Sequence, residues 1–192
     1  MVSTELRERT RQHHQRLEAV VEVMNPGLTR SHYLQLLKSF YGFYQPAELA
    51  LHARPEWAAL EPEFGRRRKV PLLHRDFKAL GLSDPEIAQL PLCAVIAPIE
   101  SFEDALGCAY VLEGATLGGQ LISRHLNSLF AMDEGTGCAF FLSYAGEVLP
   151  MWRSFIKTLN EHPCSEQQQE RIILSACTTF DSLYDFITLQ AQ

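Results

Sequence analysis

Apolar residues recur along this chain at three- and four-residue intervals, and alternation at period two is absent, so the pattern predicts helices throughout. Ser3 or Thr4 caps a first helix that runs to about residue 23 and is stopped by Asn25-Pro26-Gly27. Thr29 opens a second, with Tyr33, Leu34, Leu37, Phe40, Tyr41 and Tyr44 at helical spacing until Pro46 bends or interrupts it; residues 48–52 continue it. Residues 57–80 read as one or two helices broken near Gly65 and Pro71 and ended by Gly81, and Ser83-Asp84-Pro85-Glu86 opens a short capped helix. After Pro91 and Pro98 a long helix spans about 101–130 and ends at Asp133-Glu134-Gly135-Thr136-Gly137. Two more, about 139–159 and 166–190, flank the turn Asn160-Glu161-His162-Pro163, and the last presents Ile172, Ile173, Ala176, Phe180, Leu183 and Ile187 on one side. With no internal repeat or low-complexity tract, the expectation is an all-α fold, a single domain of stacked helices over residues 1–192.

The segment YVLEGATLGGQ places Gly114, Gly118 and Gly119 inside the 101–130 helix. Glycine costs roughly 1 kcal/mol against alanine in a helix interior, so the three forfeit about 3 kcal/mol of local propensity. Some contact must offset that loss. Bare backbone lets a helix bend and lets a large flat partner lie directly on it. A flat ligand and a closely packed second helix both satisfy this pattern.

Composition narrows the classes. With 46% hydrophobic and 21% charged residues the chain is globular, and a net charge of −6 argues against a general nucleic-acid binder. The five cysteines are odd in number and form no CxxC pair, as expected of reduced thiols in a cytoplasmic protein. The N-terminus is charged from its fifth residue, and no run approaches the ~20 apolar residues of a bilayer span, so neither a signal peptide nor a membrane partner is expected.

On the first helix Arg7, Thr10, His14, Leu17 and Val21 fall on one stripe, which turns His14 toward the interior. His14 is then either a satisfied core residue or a ligand to iron, copper or zinc. Adjacent His13 points about 100° away, so the two cannot serve one metal from a regular helix. HExxH, an ExxH pair, zinc-type spacing, a Walker loop and GxGxxG are all missing. A single histidine still suffices where a macrocycle supplies the other donors, and haem meets that requirement. It is also flat, which suits the glycines. Arg7 lies seven residues before His14, roughly 10 Å along the axis, within reach of carboxylates at the edge of such a ligand. By itself Arg7 reads first as an exposed N-terminal charge; Arg153, in MWRSF, is a second candidate for the same carboxylates. The run Arg66-Arg67-Arg68-Lys69 is either a solvated face or a dock for an acidic electron donor.

LRERTRQHHQRLE and YVLEGATLGGQ, in this order, resemble the haem oxygenases, more specifically the bacterial type associated with bacteriophytochromes. The resemblance covers nearly the whole chain. It implies that His14 is the proximal iron ligand, with Thr10 and Glu18 four residues to either side. The distal signature falls on Gly114, Gly118 and Gly119, and MWRSFIKTL resembles the helix carrying a propionate-binding arginine, here Arg153. ACTTF resembles the last helix and places Phe180 near the haem; Arg7 takes the position of a basic propionate partner. One departure stands out: Ala115 occupies the position where many members carry a distal aspartate that organises water beside bound oxygen. Thr116, backbone groups or ordered water then supply that network.

The implied architecture holds haem between the first helix and the kinked glycine-rich helix. The implied activity is oxidation of haem, both substrate and cofactor, to biliverdin, carbon monoxide and iron. It uses O2 and an external donor such as ferredoxin or a reductase, with a bacteriophytochrome as a candidate biliverdin acceptor. Gly114, Gly118 and Thr116 are the expected catalytic positions, and Arg7, Thr10, Glu18, Arg153 and Phe180 the further haem contacts. Two alternatives use the same residues: a non-catalytic haem-binding or haem-trafficking protein on the same scaffold, which Ala115 keeps open, and a helical interaction module whose glycines only pack helices.

Overall fold

Thr10 divides the first predicted helix into α1 (Val2–Arg9) and α2 (Arg11–Val21) in a computed structural model that describes residues 1–61, 64–162 and 164–190. The backbone ladder is kept across the division, since the Thr10 amide donates to the Leu6 carbonyl and the His14 amide to the Thr10 carbonyl, both at 2.9 Å. The Thr10 hydroxyl also donates to the Leu6 carbonyl, at 2.7 Å, and this second demand on one acceptor distorts the turn. Neither Ser3 nor Thr4 is the cap: Met1 precedes the helix, and the Ser3 amide is engaged by Asn160 Oδ1 at 3.1 Å. The helix stops at Val21 because Glu22 turns left-handed, at φ 44°.

In α3 (Arg30–His52), Thr29 caps the start through its hydroxyl, and the helix passes through Pro46 without stopping. Proline has no N–H for the carbonyl four residues back, which is that of Gly42. That carbonyl instead accepts from the Cys93 amide at 2.9 Å, so the segment after Pro91 repairs the ladder. Gly42 is what allows the crossing, since a Cβ there would collide with the Pro91 carbonyl oxygen.

After α4 (Trp57–Leu60) and a 3-10 turn (Phe64–Arg67), α5 (Val70–Ala79) carries Pro71 in its first turn, where it starts a helix rather than breaking one. The short capped helix expected at 83–86 is α6 (Asp84–Ala88), opened by a capping box of Ser83 and Glu86. The long glycine-bearing helix is kinked as the glycines suggested: α7 (Phe102–Gly114), a 3-10 turn (Ala115–Gly118) and α8 (Gly119–Phe130). The single helix expected over 139–159 is instead α9 (Ala139–Leu142), a 3-10 turn (Ala145–Glu147) and α10 (Val148–Glu161). Ser143 and Ala145 have positive φ, and neither residue type announces this in a sequence. Of the turn expected at 160–163, Asn160 and Glu161 belong to α10, and Pro163 lies outside the described residues. The last helix, α11 (Glu166–Gln190), has the expected bounds.

The core forms where α11 lies along α7, with further packing on α2, α3 and α1. A Cβ at Gly107 would strike the Ile172 carbonyl, so the two backbones meet there, and Ser175 Oγ donates to the Asp104 carbonyl at 2.8 Å. Ile172, Ile173, Ala176, Phe180, Leu183 and Ile187 are buried as predicted; each large apolar side chain contributes roughly 1.5–3 kcal/mol. α11 is long and apolar enough by composition to cross a membrane, but its apolar side is the one packed into this core. The described residues contain no strand.

Candidate functional site

A cleft of about 1170 Å³ is bounded by α1 and α2 on one side and by the Ala115–Gly118 turn with the adjoining ends of α7 and α8 on the other. Phe40 and Tyr44 of α3, Phe140 and Phe141 of α9, and Phe180 and Leu183 of α11 line its interior. The volume exceeds the usual range for small-ligand sites, and the lining is mostly aromatic and aliphatic with a few cationic and polar groups. That combination suits a large, flat, apolar ligand bearing negative charge at one edge.

His14 lines the cleft, but it does not face a closed interior as its stripe implied: its side chain is 52% exposed. The stripe borders open space at His14 and closes at Thr10 and Leu17, both buried. Glu18 Oε2 lies 3.4 Å from His14 Nδ1, and the Phe180 ring meets the imidazole edge-on at 5.7 Å between centroids. The contact engages Nδ1 and leaves Nε2 for a ligand. His13 turns away, as helical geometry required, with Nδ1 2.8 Å from Asp181 Oδ1 on α11.

Arg7, Thr10, Glu18 and Phe180 also line the cleft. Arg11 joins them and was missed, although its spacing signals it: it is four residues after Arg7 and three before His14 on one helical face. Arg153 is exposed on α10 and does not line the cleft. A step of about 100° per residue separates it from Trp152, which does.

The glycines divide by role. Gly114 and Gly118 line the cleft, and a Cβ on either would come no closer than 3.8 Å to Trp152 or 3.7 Å to Ile122. Protein packing therefore does not demand glycine at these two positions. Gly119 is different, because a Cβ there would overlap the Phe141 carbonyl oxygen of α9. Thr116, an expected catalytic position, points away from the cleft: it is buried, and its hydroxyl donates to the Glu113 carbonyl at 2.7 Å. It borders a separate void of about 10 Å³ behind the turn, shared with Tyr44, Lys69 and Ala115.

The basic run 66–69 is not a continuous surface patch. Arg66 and Arg68 are exposed, Arg66 against Glu147 at 2.8 Å, but Arg67 and Lys69 are only 4% and 2% exposed. Both reach Glu113, the residue preceding Gly114. Arg67 pairs with Glu113 and Glu61 and donates to the Met151 carbonyl at 3.1 Å. Lys69 Nζ donates to Glu113 Oε1 at 3.0 Å and to the Tyr144 hydroxyl at 2.5 Å, and Tyr144 donates to Glu113 Oε1 at 2.8 Å. Burial pulls the Lys69 pKa down, with the Glu113 charge opposing it. For Arg67 burial acts in the same sense, but the Glu61 hydrogen bond and the charges of Glu113 and Glu61 outweigh it and push the pKa up. Their shared partner Glu113 is 46 and 44 residues further along, so the run reads as surface until the chain is folded.

The family model described as Heme oxygenase matches residues 1–188. The chain is 26% identical over 178 residues to Heme oxygenase PigA of Pseudomonas aeruginosa, covering 93% of this chain and 87% of that protein. It is 31% identical over 130 residues to a heme oxygenase of Xanthomonas campestris pv. campestris, covering 66% of this chain and 71% of the relative. The fold superimposes on the NO- and CO-bound heme oxygenase of Neisseria meningitidis with a TM-score of 0.84 and 19% identity, across 99% of this chain and 92% of that one. With a match spanning every residue that lines the cleft, the chain belongs to the haem oxygenase family.

Proposed function

We propose that this protein, acting as one haem oxygenase domain, opens haem to biliverdin, carbon monoxide and iron. O2 is the oxidant and a separate ferredoxin or reductase supplies the electrons. The observation that carries this reading is that His14 and the two glycines free of packing duties, Gly114 and Gly118, line one apolar cleft from different walls. Bound haem supplies the redox chemistry with O2; the protein supplies ligation, placement and exclusion of water.

His14 would hold the iron through Nε2, with Glu18 at Nδ1 fixing the ring orientation. Phe180 braces the ring edge-on. Gly114 and Gly118 would let the backbone of this wall lie close to a flat ligand and so restrict which edge of it is open to O2. Arg7 and Arg11, both lining the cleft, would meet the propionates and set the rotation of the macrocycle. Arg153 and Thr116 have no such place, since one is outside the cleft and the other is turned behind the turn. With Ala115 at the cleft wall, backbone groups and ordered water would supply the hydrogen bonds on this side of the ligand. Five free cysteines support a reducing cytoplasm, and the likeness of the two motifs to the bacteriophytochrome-associated type supports a photoreceptor as biliverdin acceptor.

The test is the absorption spectrum of purified protein mixed with haem, followed through reduction in air. A histidine-ligated spectrum that gives way to biliverdin is expected, with His14→Ala losing the axial-histidine signature. A haem spectrum that persists under O2 and donor without biliverdin would identify a carrier instead. Unchanged haem affinity and spectrum in His14→Ala would overturn the ligand assignment.

A further inference from the structure

Asp76 lies in α5, outside the cleft, and is completely buried. Its two carboxylate oxygens accept from consecutive amides at the start of α9: Oδ1 from Ala139 at 2.6 Å and Oδ2 from Phe140 at 2.8 Å. These amides have no partner within the helix, so the carboxylate both satisfies them and faces the positive end of their dipoles. The next element is reached from the other end of the same short helix. The Phe141 carbonyl sits against Gly119 so closely that no Cβ fits between them. Gly119 follows directly on Gly118, which lines the cleft, and the Phe140 and Phe141 side chains line it as well.

We infer that Asp76 is a positioning residue for the distal wall of the cleft, acting through α9 as a strut from α5 to Gly119. The inference rests on the haem reading of the cleft only for its effect on product. Its structural content, that Asp76 locates the start of α8, is independent of any ligand. Two acceptors on two successive amides fix both the axial position and the rotation of α9. A one-acceptor side chain fixes neither. With only four residues, α9 transmits a displacement of its first turn to the Phe141 carbonyl, and the absence of a side chain at Gly119 leaves no cushion there. The turn at 115–118 is then held from two sides: at Glu113 by Arg67 and Lys69, and at Gly119 by the strut from Asp76.

Asp76→Asn keeps the shape of the side chain and removes one acceptor. Amide hydrogen exchange is read over 118–123 in the protein without haem, with 172–183 of α11 as the internal reference. Exchange at 118–123 is expected to quicken at least tenfold in the variant while α11 stays within about twofold, and Asp76→Glu, which restores two acceptors, is expected to recover part of the protection. A general loss of stability would quicken both segments together, and that result overturns the inference, as does unchanged exchange at 118–123. Should Asp76→Asn not fold, wild-type protein in sub-denaturing urea decides: 118–123 and 139–142 are expected to open as one unit, and independent opening overturns the inference. With haem, the variant is expected to keep the His14 spectrum and change the biliverdin isomer ratio severalfold; an unchanged ratio removes the link to product. If the wild-type protein shows no histidine-ligated haem, the haem reading fails while the exchange result still decides the role of Asp76.

Discussion

Lys69 donates to Glu113 across 3.0 Å although 44 residues separate them, and both side chains are almost fully withdrawn from water. With Arg67, Glu61 and Tyr144 the pair forms a compensated ionic cluster at the end of α7, one residue before the cleft-lining Gly114. Breaking such a cluster by removing one member is costlier than the cluster's net contribution, because the remaining charge stays buried. Arg67→Met, which strands Glu61 and leaves Glu113 with Lys69 and Tyr144, is expected to lower the free energy of unfolding by about 3–5 kcal/mol. Urea denaturation of the protein without haem measures it, and a loss below about 1 kcal/mol would show that the carboxylates find water or protons instead.

Gly118 and Gly119 are neighbours with opposite expectations. Gly118→Ala meets nothing closer than 3.7 Å and sits at φ −79°, so the unliganded fold is expected to hold or gain about 0.4–1 kcal/mol. Haem affinity, by contrast, is expected to fall at least tenfold as the methyl group narrows the cleft. Gly119→Ala drives a methyl group into the Phe141 carbonyl and is expected to cost about 1–3 kcal/mol before any ligand is added. Thermal unfolding without haem and a haem titration separate the two effects. Equal behaviour of the two variants in both measurements would contradict the division of roles.

Glu18→Gln tests whether the contact at His14 Nδ1 tunes the ligand. The pair is largely exposed and 3.4 Å apart, so the effect belongs at the low end of the 10–100-fold range for removal of a group behind a metal ligand. About tenfold weaker haem binding is expected, with the histidine-ligated spectrum retained. Loss of that spectrum would instead assign Glu18 a part in folding the α2 turn.

The parts of this molecule legible in its sequence are those governed by local rules. The stripe through Arg7, His14 and Leu17 follows from 3.6 residues per turn, and the same rule rejected His13. The three glycines gave the kink in the long helix, but their different duties, Gly119 against the Phe141 carbonyl and Gly114 and Gly118 on the cleft wall, follow only from packing. The hidden parts depend on partners far along the chain. Arg67 and Lys69 look like surface cations until Glu113 is brought to them, and Asp76 looks ordinary until the amides of Ala139 and Phe140, 63 and 64 residues on, close over it. Arg153 and Thr116 lie off the cleft lining for another reason: a motif transfers the identity of a residue, whereas the rotation of its side chain is set by packing particular to this chain. Trp152 faces the cleft next to Arg153, and the Glu113 carbonyl holds the Thr116 hydroxyl.

Asp76 also carries a pH dependence whose sign can be worked out. Burial pushes its carboxyl up from 3.8 to about 6, against the opposing pull of the Phe140 and Ala139 amides and the Arg75 charge. The folded chain therefore binds this proton more tightly than the unfolded chain does. Its contribution to stability is fully present below about pH 4 and is lost as pH rises through about 6. A shift of roughly two units corresponds to about 3 kcal/mol between those limits. Other carboxylates act in the opposite sense, Asp104 among them, because the Arg171 and Ser101 hydrogen bonds outweigh its burial and lower its pKa. The Asp76 contribution must therefore be read as a difference. The stability advantage of wild type over Asp76→Asn, measured by urea unfolding at matched ionic strength, is expected to be greatest near pH 4 and to shrink by about 3 kcal/mol by pH 7. A difference that is flat across this range would show that Asp76 titrates as an ordinary carboxylate, and one that grows with pH would show that the two amides dominate its burial.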